Sequence, residues 1–202
     1  MSMWHYWTSF KKKLVLADGV PLLLIRLYLA PVMVQAGWNK YSAFDNTVAW
    51  FGNSDWGLGL PFPVLLASMA IAAELVGGVF IGLGFITRLT SIPLMLTMAV
   101  AAVTVHWQHG WPAIADASSW LADGTILLNE TVMSAPEKLN AANQILAEHG
   151  YIEWLTASGK FVILNNGIEF AATYFIMLFV LCLYGGGRFV SVDYWFSRLI
   201  AK

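Results

Sequence analysis

Residues 62–86 read FPVLLASMAIAAELVGGVFIGLGFI, and Glu74 is the single charged side chain in that run. A helix needs about 20 apolar residues to cross the hydrocarbon of a bilayer. A lone strand there would leave its backbone groups unpaired in lipid, so the segment reads as a transmembrane helix. A charge within such a helix costs at least ~2.5–3.5 kcal/mol on insertion scales, so Glu74 needs either a partner or a task.

Three further stretches have the same character. They run from about Val20 to Trp38, about Leu89 to His106 and about Ile163 to Tyr184, beside the one from about Phe62 to Ile86. The whole chain fits: of 202 residues, 58% are hydrophobic and 11% charged, the net charge is −1 and the mean hydropathy is +0.65. Soluble domains carry about 25% charged residues. A nucleic-acid binder needs a basic patch that this balance lacks, so no nucleic-acid partner is expected. The one cysteine, Cys182, excludes an internal disulfide or a dithiol redox pair. The expected fold is all-α: an integral membrane four-helix bundle forming a single domain over residues 1–202, embedded in a lipid bilayer.

Positive charge sets the orientation. Lys11, Lys12, Lys13, Arg88, Arg188, Arg198 and Lys202 fall on one side, and Lys40, Lys138 and Lys160 on the other. Both termini are therefore expected in the cytoplasm of a bacterial inner-membrane, multi-pass protein. Arg26 interrupts the first apolar run, which is read as a retained span rather than a cleaved signal. Trp4, Trp7 and Phe10, followed by three lysines, read as an interfacial helix, with Tyr194, Trp195, Phe196 and Arg198 as its counterpart near the other end.

Residues 108–160 form an acidic, partly helical extracytoplasmic segment, expected to lie as a lid over the bundle mouth. Trp111-Pro112 is predicted to open a short helix ending near Gly124. Ser134-Ala135-Pro136-Glu137 reads as a capping box before a second helix, which carries Leu139, Ala142, Ile145 and Leu146 at helical spacing and stops at Gly150.

At 1.5 Å per residue from the cytoplasmic end, Arg26 lies about 9 Å deep and Glu74 about 19 Å. Gln35 comes at about 22 Å, Glu169 at about 25 Å and His106 at about 27 Å, with Trp38, Asn39 and Lys40 at the rim. Two readings stand for this set. In one, Arg26 reaches Glu74 and the pair fixes helix register. In the other, Glu74, His106 and Glu169 are proton-transferring groups of a pocket whose ligand is held by Arg26, Gln35, Trp38, Asn39 and Lys40. His106 and His109 stand i, i+3, but Gly110 ends the helix behind them and no metal set is expected. The Ala73-xxx-Gly77 and Gly78-xxx-Gly82 spacings predict close helix packing.

At these residues the chain resembles the DoxX family of small four-span membrane proteins. Leu24-Ile25-Arg26-Leu27 with Gly37 and Lys40 resembles the family's first helix. Ala73-Glu74-Leu75-Val76-Gly77-Gly78 through Gly84-Phe85-Ile86-Thr87-Arg88-Leu89 resembles the second. His106 resembles the histidine that ends the third, and Glu169 with Gly185-Gly186-Gly187-Arg188-Phe189-Val190-Ser191-Val192-Asp193 resembles the closing pattern.

The resemblance implies a redox-associated subunit, in one relative a part of a thiosulfate:quinone oxidoreductase, with a quinone as cofactor and a soluble or membrane redox partner protein. A non-catalytic scaffold or maturation factor, and a homo-oligomeric carrier of a small molecule or lipid, are the alternatives.

Overall fold

Pro63 opens the helix that carries Glu74, and Gly84 closes it. Proline suits a first helical turn, where its missing N–H has no acceptor to lose. Gly84 sits at φ +68°, a left-handed conformation that glycine adopts without strain. Phe85 N–H then donates to the Phe80 carbonyl at 2.9 Å and Gly84 N–H to Ile81 at 3.0 Å, the Schellman arrangement that satisfies the last free carbonyls.

The structure is a computed structural model and describes Trp4, Tyr6, Trp7 and residues 18–201. Its helices are α1 (Gly19–Ser42), α2 (Phe44–Gly52), α3 (Pro63–Leu83), α4 (Thr87–Ala101), α5 (Glu130–Met133), α6 (Ala135–His149), α7 (Ile152–Leu155), α8 (Glu169–Tyr184) and α9 (Val192–Ile200). A π-helical turn (Ala102–His106) and a 3₁₀ turn (Trp107–His109) extend α4. Two isolated bridges, Ile114 with Leu164 and Asp123 with Leu128, are the β-type pairings among the described residues. Three segments are long and apolar enough to cross a membrane: Gly19–Ser42, Pro63–Leu83 and Thr87–His109. Glu169–Tyr184 is a shorter apolar helix.

The chain divides into two compact units, residues 1–99 with 174–202, and residues 100–173. In the first, α1, α3, α4 and the later turns of α8 surround one core of Leu29, Met33, Ile81, Leu94, Met98, Leu178 and Leu181. Large apolar side chains also face outward, among them Leu27, Leu65, Val76, Leu96 and Ile176. Helices that are apolar all round belong in lipid.

Between such helices lipid supplies no hydrophobic drive, so association rests on close packing. The expected Gly77 and Gly78, together with Gly37, provide it. A Cβ on Gly37 of α1 would lie 2.8 Å from the Leu75 amide nitrogen of α3. One on Gly78 of α3 would lie 3.0 Å from the Val34 amide nitrogen of α1. Gly77 lies against Leu94 and Thr90 of α4.

At one end of this unit the chain closes on itself. Asp193 accepts from the Ile86 amide at 2.5 Å and the Thr87 amide at 2.9 Å, capping α4, while its own N–H donates to the Gly84 carbonyl at 2.9 Å. Arg26, 1% exposed, donates from Nη2 to the Val190 carbonyl at 2.8 Å and is attracted by the Asp193 charge. A Cβ on Gly84 would collide with that guanidinium. Ser191 caps α9 through the Tyr194 amide. Three separated stretches of sequence thus make one joint.

The second unit departs from expectation at three places. Residues 111–124 form no helix. Asp116 and Asp123 instead accept from Ser118 and Thr125 in tight turns. Those bonds, from the Ser118 hydroxyl and amide and from the Thr125 amide, hold both carboxyls below their ordinary range. Helix α6 begins and ends as expected, but Ser134 does not cap it. Its backbone is already helical and its hydroxyl donates back to Thr131. The cap lies one helix earlier, at Asn129, whose side chain accepts from the Val132 amide.

The fourth apolar helix starts at Glu169 rather than near Ile163. Residues 163–168 instead run alongside 110–115, with Asn166 at φ +61°. Of the N-terminal interfacial helix, Trp4, Tyr6 and Trp7 are helical, while Phe10 and Lys11–Lys13 lie outside the described residues. The amphipathic C-terminal counterpart forms as α9.

Two outcomes follow for stability in mild detergent. Gly78→Val overpacks the α1–α3 contact at a cost of about 1–3 kcal/mol and lowers the unfolding temperature, whereas Val76→Ala on the outward face leaves it nearly unchanged. Asp193→Asn removes one of two acceptors and the charge facing Arg26, a loss of about 1.5–3 kcal/mol seen as an earlier thermal transition. An unshifted transition in Asp193→Asn would refute the joint.

Candidate functional site

Sequence singles out eight polar or aromatic residues, and the structure brings two of them together. Lys40 Nζ donates to both oxygens of Glu74, at 2.9 and 2.7 Å. The Glu74 side chain is 3% exposed and that of Lys40 is 28% exposed. Lys40 occupies the last turn of α1, where the helix dipole favours a cation. Its stem descends to Glu74, midway along α3, because Gly37 one turn earlier lets the two backbones meet. The pair is asymmetric: the carboxylate is enclosed and the ammonium has one side open. An ammonium has three donors, and two are used by Glu74, so one remains for a ligand.

Arg26 does not reach Glu74. Glu74 lies level with Gly37, and Arg26 is eleven residues before it on α1, about 16 Å along the axis. Its guanidinium serves the joint at the other end of the unit.

Gln35, Trp38 and Asn39 are exposed. The buried stripe of α1 runs Arg26, Leu29, Met33, Gly37, and Lys40 continues it by three residues. Gln35 lies two residues past Met33, a rotation of about 200° at 3.6 residues per turn, so it faces away. Trp38 stacks at a tilt on Tyr41, with ring centroids 5.7 Å apart. It lies two residues before Lys40, about 200° round the helix from it, and faces away from the ion pair.

His106 and Glu169 belong to the second unit, where both bind backbone. His106 Nδ1 donates to the Asn166 carbonyl at 2.8 Å, which in the neutral ring leaves Nε2 as the acceptor. Glu169 accepts from the Ala113 amide at 2.9 Å. Asn165, 7% exposed, donates to the His109 and Pro112 carbonyls at 2.7 and 2.6 Å, and Asn129 donates to His109 at 3.1 Å. Together these side chains clasp residues 106–113 to 163–169. The π-helical turn that aims His106 is a local widening of the kind often found at functional positions.

Sequence reasoning passed over Asn165 and Asn129 as clasp residues. An Asn-Asn-Gly run just before an apolar helix was the available signal, since these residues favour turns and backbone bonding over a helix start inside lipid. Among the described residues no group of three or more His, Cys, Asp or Glu is placed to hold a metal ion.

Residues 21–107 match the family model DoxX. That range contains the α1–α3 pair with Lys40 and Glu74, and α4 through to His106. The chain is 32% identical over 101 residues to "Inner membrane protein YphA" of Escherichia coli (strain K12), covering 50% of this chain and 68% of that protein. It is 31% identical over 83 residues to "Putative oxidoreductase CatD" of Bacillus subtilis (strain 168), covering 41% of this chain and 58% of that one. No solved structure matches the chain. With the helix pair, the glycine contacts and the ion pair all inside the matched range, the chain belongs to the DoxX family.

Proposed function

We propose that this protein is an inner-membrane, redox-associated subunit in which Lys40 and Glu74 form a quinone-binding, proton-handling pair. The bidentate bond between them inside an apolar helix pair carries the reading. Ionisable groups at this depth are expensive and are typically kept for binding or for moving protons. The names of the two relatives, "Inner membrane protein YphA" and "Putative oxidoreductase CatD", support location and reaction class respectively.

A quinone, when bound, accepts two electrons and two protons. Lys40 offers one free N–H donor to a carbonyl oxygen, and Glu74 is the base through which a proton leaves or arrives. Electrons come from a partner protein or a reduced substrate on the extracytoplasmic side, with both termini cytoplasmic.

A second reading, a non-catalytic scaffold or maturation factor, is favoured by one observation. His106, Glu169, Asn165 and Asn129 are all committed to backbone bonds in the second unit. That is how a rigid presenting surface is built.

Extraction of the protein from its own membranes into nanodiscs, with quantification of co-extracted quinone, separates the two. The wild type is expected to retain quinone, and Lys40→Met and Glu74→Gln to lose it. Equal quinone in all three, or a stoichiometric second polypeptide without quinone, overturns the redox reading. Stability gives an independent readout of the pair. Lys40→Met alone leaves a buried carboxylate unmatched, at a cost of about 3–5 kcal/mol, and lowers the unfolding temperature. Lys40→Met with Glu74→Gln recovers most of that loss, because neither charge then remains.

A further inference from the structure

The helix ends around the joint enclose a second feature that the reading above does not use. A cleft of about 870 Å³ opens between the start of α1, the start of α4, the end of α8 and the start of α9. Its walls are mostly apolar, with Leu22, Leu89, Tyr184 and Tyr194 among them. Two guanidinium groups, Arg88 and Arg188, stand at its rim.

The charges of the cleft do not cancel. Asp193 is engaged by the Ile86 and Thr87 amides and faces Arg26. Asp18 stands against Arg188 with an Nε to carboxylate distance of 3.4 Å, a loose exposed contact. Arg88 is exposed and makes no ion pair among the described residues. One cation is therefore left over.

An unpaired guanidinium and a second one loosely held are donors open to a ligand. The acceptor that fits guanidinium forks is a phosphate group. Its source follows from the setting. The cleft lies at the ends of membrane-length helices, where lipid headgroups are found, and its walls are more apolar than a free ion requires. Its volume is that of a site for an organic ligand rather than for inorganic phosphate. Basic pockets between transmembrane helices at this level are suited to phospholipid headgroups.

We propose that this cleft binds the phosphate of an anionic membrane phospholipid between Arg88 and Arg188, with its upper acyl chain along Leu22 and Leu89.

Native mass spectrometry of the full chain in nanodiscs of mixed phosphatidylglycerol and phosphatidylethanolamine tests this. The wild type is expected to keep phosphatidylglycerol in preference to phosphatidylethanolamine. Arg88→Gln with Arg188→Gln is expected to keep at least about tenfold less, as follows from losing two charge-assisted contacts. Lys138→Gln with Lys160→Gln, which changes the net charge equally at two exposed positions of the second unit, is expected to match the wild type. If the double variant does not fold, Arg88→Gln alone, at an exposed position, is read in its place. Equal retention by wild type and variant, no preference over phosphatidylethanolamine, or release of the lipid by excess inorganic phosphate would each overturn the proposal.

Discussion

Charge has to be neutralised locally wherever water is absent, and that constraint shapes the first unit of this protein. Two of the helices long and apolar enough to span a bilayer, Gly19–Ser42 and Pro63–Leu83, carry Arg26, Lys40 and Glu74 among otherwise uncharged neighbours. Each unmatched charge would take up a large share of the few kcal/mol by which a folded domain is stable. The unit resolves this with two separate devices about 16 Å apart along α1: an ion pair where α1 meets α3, and a carbonyl and carboxylate facing Arg26 at the joint. Glycine makes the first possible by bringing backbones close at Gly37 and Gly78, and the second by leaving room for a guanidinium at Gly84.

The two devices differ in what they leave unused. At the joint, Asp193 is fully committed, caps a helix and binds the chain's distant parts together. Its work is structural, and the free donors lie beside it, in the cleft. At the ion pair, one ammonium donor is open and the carboxylate is enclosed, and the proposed binding role rests on that asymmetry. The second unit follows the same economy with neutral groups: Asn165, Asn129 and Glu169 take up backbone carbonyls and amides that an irregular segment would otherwise leave bare.

Much of the fold was legible because lipid enforces simple rules. A run of about 20 apolar residues in a membrane has to be a helix, and Gly110 and Gly150 mark ends that local chemistry dictates. The start of α8 was not legible in the same way. Hydropathy rises from Ile163, but Asn165, Asn166 and Gly167 find backbone partners at residues 112–113, and those long-range bonds outweigh helix continuation. Ser134 shows the same limit at shorter range. The sequence pattern of a capping box was present, yet the preceding helix α5 had already set that residue's backbone.

Among the candidate site residues, the amino-acid order by itself determined which side chains are costly in a membrane. The list of Arg26, Lys40, Glu74, His106 and Glu169 follows from charge or titratable chemistry against an apolar background. Only the tertiary structure decided which of them meet. Pairing depends on helix rotation and on the offset between helices, and both are set by where Gly37 and Gly78 allow α1 and α3 to touch. That contact puts Glu74 level with Gly37, within reach of Lys40 and beyond reach of Arg26, and it turns Gln35 to the outside.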